Sequence, residues 1–395
     1  MSNLLNKRLK FKDIFKEINL KSKNNNQYKI FSVTKDGITP QSSHFTKQIA
    51  SKDNTGYKIL KRNNVAISPM NLWLGSIGVM TENDIGIVSP AYLILEFDKL
   101  NFDPIFLKYF LKSPYMLKKY RLNSYQGASV VRQSLDKETF FEEIISFPKL
   151  DYQKRVSQKL KKIDDLIKNF ELKYQKIIFL KKSFINNFFL KIKYNKRNKL
   201  VLIDNWEKKI LKDISKKILR KNSSKTKITL TISATKGLIN QKNYFNKLVS
   251  SEDTSHYTLL KNGEFSYNKS SSSGFPAGCV TFLKNYSEGC LSPLYICFEI
   301  IDKNISKKFL ECFFLTDLFN KQISEISDEG TRSHGMLNLK LNDFYNVEIP
   351  IPSLNEQKKF EDKILSIENL INFLFLKIEK LNDIKKYTIN NELTK

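Results

Sequence analysis

The side chains best suited to nucleophilic or metal chemistry are few in this sequence. Its four cysteines (Cys279, Cys290, Cys297, Cys312) lie in one half without a CxxC pair, and its only histidines are His44, His256 and His334. A zinc site needs three or four such ligands at short spacings, so none assembles by spacing, and no Cys-His arrangement for covalent catalysis is suggested either. Carboxylates do occur in pairs, Asp164-Asp165 and Glu142-Glu143. Neighbours on a helix point about 100° apart, so such pairs read as a solvated face and not as an acid/base couple. GxxxxGK[ST], a Gly-rich strand-turn-helix for S-adenosylmethionine or a dinucleotide, and an Asn-Pro-Pro-aromatic motif for adenine methylation are all absent. What the chain offers instead is charge: 67 Lys+Arg against 40 Asp+Glu give +27. A polyanionic partner fits that imbalance better than compositional drift, because each cation that meets a phosphate releases a condensed counterion.

The positive charge is unevenly placed. Residues 1–150 carry +10, 151–200 carry +11, 201–353 carry +5 and 354–395 carry +1. At 395 residues the chain is too long for one ordinary domain, and 41% apolar residues supply cores. No run of about 18 apolar residues is present, which predicts no membrane span. Charges stand at the N-terminus where an export signal would need an apolar core, so a cytoplasmic protein with free thiols is expected.

The sequence repeats itself. Lys12-Asp13-Ile14 recurs as Lys212-Asp213-Ile214, and Gly37, Gln41, Phe45, Asp53, Tyr57, Leu60 and Lys61 recur 200 residues later. GIVSPAY (from Gly86) answers GCLSPLY (from Gly289) and Gly127 answers Gly330 at an offset of 203; Pro148 and Gln153 meet Pro352 and Gln357 at 204. A slowly growing offset is the mark of a duplicated unit with small insertions, here of about 200 residues. In each copy short β-rich runs (YKIFSV, NVAIS, YLILEF; ITLTIS, YICFEI) separated by Gly, Ser, Asn and Pro come first. A long stretch without Gly or Pro follows.

Those long stretches predict helices with a narrow apolar seam. In the first copy the seam runs Ile163, Ile167, Phe170, Tyr174, Ile177, Phe184 and Phe188 in steps of 4 and 3, broken only at Lys181. In the second it runs Ile367, Ile371, Leu374, Ile378 and Leu381, broken at the equivalent Lys385. A spacing of 3.5 is the requirement for coiled-coil packing. Pro352 and Ser353-x-x-Glu356 mark the start of the second helix as a capping box. The expected architecture is α+β: two tandem mixed α/β domains, each followed by a long helix, the helices pairing as an antiparallel coiled coil with a pseudo-two-fold. Helices of about 40 residues would reach about 60 Å and hold the domains at opposite ends. An intermolecular coiled coil is the alternative; two seams of equal length favour the intramolecular pair. Expected boundaries are 1–150, 151–195, 196–353 and 354–395.

With this layout the chain resembles the specificity (S) subunit of Type I restriction-modification systems over nearly its whole length. SPMNLWLGSIGVM (Ser68 to Met80) with GIVSPAY, SYNKSSSSGFPAGCV (Ser266 to Val280) with LSPLYICF, and the helix openings FPKLDYQKR and IPSLNEQKK carry the resemblance. Lys149 stands where the capping Ser is usual, and Asp151 where a polar-acidic pair is. The resemblance implies two target-recognition domains reading a bipartite, asymmetric duplex sequence, joined by helical spacers that set the gap. It implies a non-catalytic subunit without a cofactor of its own. The partners implied are double-stranded DNA, two modification (methyltransferase) subunits carrying S-adenosylmethionine, and ATP- and Mg-dependent restriction subunits, with no membrane.

Reading bases requires paired donors and acceptors on loops that can enter a groove. In the first domain Lys35, Gln41, Lys61, Arg62, Asn63, Asn64, Arg121, Gln126, Ser129, Arg132 and Gln133 meet that need. In the second the candidates are Lys236, Gln241, Lys261, Asn262, Asn268, Lys269, Ser270, Thr331, Arg332 and His334. Arginine is scarce in these domains, and its fork suits guanine or phosphate. Trp73 and Trp206 read as core anchors, and Gly37, Gly237, Gly127 and Gly330 as turn residues. Two readings of another class stay open: a fused restriction-methyltransferase enzyme, and a coiled-coil nucleic-acid-binding scaffold.

Overall fold

The structure, a computed structural model, describes residues 7–44, 52–81, 83–126, 133–189, 192–194, 200–202, 206–223, 226–233, 237–244, 253–272, 274–327 and 335–393. The chain packs as two compact units, one formed by residues 1–171 with 376–395 and the other by 172–375. Each long helix therefore contributes to both units.

In the first unit, strand Lys7–Lys10 pairs antiparallel with Ile144–Phe147. An antiparallel sheet follows in the order Phe15–Ile18, Leu93–Phe97, Val65–Ile67, Ile77–Val79. A second sheet runs Gly37–Pro40, Lys29–Thr34, Gly86–Val88, Lys58–Leu60, with its central pair parallel. The core between these sheets and the helices is aromatic-rich, with Phe11, Phe15, Phe106, Phe110, Phe140 and Tyr120 sealed from solvent. Helices Pro104–Phe110 and Pro114–Leu122 start with Asp103 and Ser113, whose side chains accept the N–H of Phe106 and Met116.

The second unit rebuilds that plan. Glu207–Ile210 pairs with Glu348–Ile351, and the antiparallel sheet runs Ser215–Lys217, Ile296–Ile300, Phe265–Asn268, Cys279–Phe282. The hairpin Leu230–Ser233/Gly237–Asn240 and the pair Thr258–Lys261/Glu288–Leu291 are joined by a parallel bridge from Thr229 to Cys290. Strand for strand this is the order of the first unit, so the sequence repeat is a repeat of pairing. Close approach explains the matched glycines that open GIVSPAY and GCLSPLY. A Cβ on Gly86 would sit 2.3 Å from the Phe31 ring, and one on Gly289 2.5 Å from Leu230. Gly37 and Gly237 have φ of +114° and +71°, the turn conformation that favours glycine. The four cysteines are buried in this unit, three of them on its strands. Burial pushes the thiols of Cys279 and Cys312 up to about 12 and that of Cys297 up to about 11.

The long helices span Leu150–Phe189 (40 residues) and Leu354–Glu392 (39 residues). Each is anchored by a fully buried glutamine on its first turn. Gln153 accepts the Asp103 N–H (3.0 Å) and donates to the carbonyls of Pro148 (2.9 Å) and Asn101 (3.4 Å). Gln357 accepts the Ser306 N–H (2.9 Å) and donates to the carbonyls of Pro352 and Asn304, both at 3.0 Å. The proline-then-glutamine pattern is thus a three-point clamp between helix and head. Ser353 accepts from the Glu356 N–H at 3.4 Å and bonds its carboxylate at 3.1 Å, whereas the first helix starts on the Lys149 carbonyl.

Within each unit the two helices run antiparallel. Lys159 meets Glu392 and Asp164 meets Lys385 in the first; Lys181 meets Glu368, and Phe184 stacks on Phe360, in the second. Ile163, Ile167 and Leu374 are buried, and Phe170, Tyr174, Ile177, Ile367, Ile371, Ile378 and Leu381 are half-buried, most of them between exposed neighbours. The predicted seam is the packing face. Among the described residues, no helix is long and apolar enough to cross a membrane, and no group of His, Cys, Asp and Glu could hold a metal ion.

Candidate nucleic-acid interface

The first head carries a cleft of about 480 Å³ lined by both polar and apolar side chains. Lys35 and Gln41 border it from the ends of strands Lys29–Thr34 and Gly37–Pro40. The turn between those strands is fixed by Thr34, whose hydroxyl accepts the Asp36 N–H at 3.1 Å. Across the cleft stand Asn71 and Leu74 from the 3-10 helix Pro69–Leu74, with Ser76, Ser89 and Tyr92. Gln41 donates to Ser32 at 3.5 Å, and Lys35 is exposed. Beneath the turn, Lys112 donates to the Lys35 carbonyl. Burial pushes the Lys112 ammonium down to about 8, with Asp36 opposing and the charges of Lys108 and Lys385 adding to the effect.

Beside the cleft, the hairpin Ser124–Gln126/Gln133–Leu135 packs its second strand on the 3-10 helix. Gln126 and Gln133 are cross-strand partners at the end where the chain connects the two strands, and Arg121 is exposed on the preceding helix. Gly127, Ser129 and Arg132 lie outside the described residues. Lys35, Gln41 and Gln133 are therefore brought to one region of the head together with Asn71 and Ser76, which residue type alone did not single out. The signal for the latter two was in the sequence, inside SPMNLWLGSIGVM.

The turn 61–64 is elsewhere. Arg62 and Asn63 border a separate cleft of about 470 Å³, where the carboxylates of Asp103, Asp164 and Asp165 offset the charges of Arg62, Lys108 and Lys161. Arg62 donates to Asn83 Oδ1 at 2.6 Å. Asn63 has φ of +67°, and buried Asn64 accepts the Lys61 N–H at 2.8 Å. These side chains build the turn, and Lys61 is exposed on it. Asp164 corrects the expectation of a solvated face: it is half-buried, accepts from the Tyr109 hydroxyl and pairs with Lys385 at 2.7 Å. Burial and the Asp164 carboxylate together push the Tyr109 phenol far up. Glu142 pairs with Lys10 and Lys12, and Glu143 with Lys119, so none of these carboxylates is poised as a catalytic couple.

In the second head Lys261 and Asn262 are exposed on the equivalent turn, where Asn262 donates to the carbonyls of Lys284 (3.0 Å) and Tyr286 (3.1 Å). Gln241 is buried and donates to the Leu230 carbonyl at 3.3 Å. Asn268 ends strand Phe265–Asn268, and Lys269 and Ser270 open the connection 269–278, which occupies the place of the 3-10 helix in the first head. Asn268 accepts the Ser270 N–H at 3.0 Å, and Lys269 accepts the Leu337 N–H, tying that loop to the segment after 335. Lys236, Thr331, Arg332, His334 and Gly330 lie outside the described residues. Trp206 is a core anchor against Phe188, as expected, whereas Trp73 is half-buried in the 3-10 helix.

Comparisons with known proteins come down to fold. No protein-family model matches the sequence, and no curated protein does. Among solved structures, the chain is similar to one from a study of complex assembly and conformational transition of the type I R-M system. The two share 10% identity and a TM-score of 0.58, covering 100% of this chain and 99% of that one. It is also similar to the Type-I restriction-modification S subunit from M. genitalium, at 13% identity and a TM-score of 0.52, covering 100% and 97%. The chain therefore shares the fold of these two structures.

Proposed function

We propose that this chain is the DNA sequence-specificity subunit of a Type I restriction-modification complex, a non-catalytic reader of a bipartite, asymmetric duplex target. One observation carries the reading. Two heads with the same strand order hold unlike loops at the same place, a 3-10 helix at Pro69–Leu74 and the polar connection 269–278. A duplicated scaffold with exchanged loops suits two different half-sites, as the symmetry of dimeric repressors suits two equal ones. The full-length likeness in fold to the S subunit from M. genitalium supports the same reading.

In the first head, Lys35, Gln41, Arg121, Gln126, Ser129, Arg132 and Gln133 supply the donors and acceptors for base edges and phosphates, joined by Asn71 and Ser76. In the second, Lys236, Asn268, Lys269, Ser270, Thr331, Arg332 and His334 do so, whereas Gln241, Lys261 and Asn262 belong to the core and to the turn equivalent to 61–64. The helical pair sets the spacing between half-sites. Two modification subunits supply S-adenosylmethionine and flip the target adenine, and restriction subunits supply ATP-driven cleavage with Mg. Methylation mapping of DNA from cells with the modification subunits, with and without this chain, tests the reading. A two-part motif that appears only with the chain supports it; methylation by the purified chain alone, without partners, overturns it.

A further inference from the structure

The two lysines that interrupt the seam occupy corresponding places in the repeat, and so do their partners. Lys181 Nζ lies 2.6 Å from Glu368 Oε1, and Lys385 Nζ lies 2.7 Å from Asp164 Oδ1. Each carboxylate directly follows a seam isoleucine, Ile367 or Ile163. The same ion pair thus occurs once in each compact unit, made in each case from one residue of either helix.

Each carboxylate also has a partner from the head of its unit. Glu368 accepts from Lys308 at 2.7 Å, on helix Lys307–Phe313, and Asp164 accepts from Tyr109, on helix Pro104–Phe110. Those two helices correspond in the repeat. The lysine and carboxylate side chains are between a fifth and a third exposed, so removing one partner leaves a charge that water only partly compensates. Burial raises the Glu368 carboxyl, yet the Lys181 and Lys308 ammonium groups outweigh it and hold the group below the usual carboxylate range.

Apolar seam residues alone define register weakly, since a slip of seven residues brings apolar groups back into contact. The two ion pairs reject both such slips. If the second helix slips one way, Lys181 meets Glu361 but Asp164 meets Ile378; if it slips the other way, Lys181 meets Phe375 and Asp164 meets Glu392. The Lys181 pair alone would admit the first slip, through Glu361, and the Asp164 pair is what forbids it.

We propose that Lys181–Glu368–Lys308 and Lys385–Asp164–Tyr109 are a pair of register locks, and that they are the residues which fix the spacing between the two half-sites. The second half of this statement rests on the bipartite reading above; the first half does not.

The test uses the full chain in two assays. In the first, Lys181→Met with Lys385→Met is bound to duplexes whose half-sites are constant and whose spacer varies. A one-heptad slip moves a helix by about 10 Å, or about three base pairs. The native chain is expected to prefer one spacer by about 100-fold, and the variant to bind spacers three base pairs apart within about threefold, with half-site sequences unchanged. In the second, Tyr174→Cys is combined with Phe375→Cys, whose native rings lie 6.5 Å apart, or with Asn382→Cys, one heptad away. The native chain is expected to cross-link only the first pair, and the lysine variant both. Glu368→Gln with Asp164→Asn, which keeps side-chain size, serves in both assays should the methionine variant not fold. If cross-linking in the variant stays confined to the native pair, the locks are overturned. If cross-linking shifts but the native chain shows no two-part DNA preference, the locks stand and the bipartite reading falls.

Discussion

At corresponding seam positions the two units close their helical ends with opposite chemistry. In the second unit Phe184 and Phe188 of one helix enclose Phe360 of the other, with ring centroids 5.6 and 4.3 Å apart, and Trp206 lies 5.2 Å from Phe188. In the first unit the same three places are held by Thr388, Glu392 and Val156. There Glu392 accepts from Lys159 at 2.6 Å and from Tyr152 at 3.1 Å, and Thr388 turns its hydroxyl to the Ile384 carbonyl at 2.8 Å. The repeat has therefore kept the geometry of the seam while exchanging what fills it. Matched substitution of all three partners is what close packing demands, because a phenylalanine facing a valine-sized hole would leave either a void or a clash.

The widest separation between the units should come from truncating the central residue. Phe360→Ala is expected to destabilise the second unit by about 3–5 kcal/mol. Val156→Ala should cost the first unit about 2 kcal/mol, at about 0.8 kcal/mol per buried carbon. Urea unfolding followed by tryptophan fluorescence reads each unit separately, Trp206 alone after Trp73→Phe and Trp73 alone after Trp206→Phe. Equal costs in the two units would remove the distinction drawn here.

The glutamine clamps should behave in the opposite manner, alike in both units. Gln153→Ala and Gln357→Ala each leave one N–H and two carbonyls unanswered at a buried site, worth about 2–4 kcal/mol. The same unfolding assay checks this, and a difference of more than about 1 kcal/mol between the two would show that the clamps are not equivalent.

A smaller effect distinguishes the polar end by pH. Hydrogen bonding from Lys159 is the chief influence that holds the Glu392 carboxyl below its ordinary 4.5. A carboxyl with a depressed folded pKa contributes stability above the unfolded value and loses it as pH falls through the folded one. The first unit should therefore lose part of its stability as pH drops below about 4.5, and Glu392→Gln should flatten that limb. Phe188, at the corresponding place in the second unit, gives no such dependence. Melting profiles of the native chain and the variant between pH 3 and pH 6 measure it.

Much of the architecture was legible in the sequence because it depends on periodicity. The 4-3 spacing from Ile163 to Ile177 and from Ile367 to Leu381 predicted the packing face, and the 200-residue offset predicted the shared strand order. Two kinds of feature were not legible. Lys181 and Lys385 looked like flaws in a seam, and Asp164 like a solvated residue, because an ion pair between distant segments has no spacing of its own. Arg62, Asn63 and Asn64 looked like base readers because the same amide groups that read bases also close tight turns; only the Asn64–Lys61 and Arg62–Asn83 bonds show which task they perform here. Asn71 and Ser76 were passed over for the converse reason, since nothing in their types separates a cleft wall from a loop.

The central claim is that two unlike heads each recognise a stretch of duplex. Selection of bound duplexes from a random library by the full chain with its modification partners tests it most directly, repeated after the loop 269–278 is replaced by residues 68–76. The account predicts a two-part motif in the native selection and a change confined to one half after the exchange. A single continuous motif, or an exchange that alters both halves together, would contradict it.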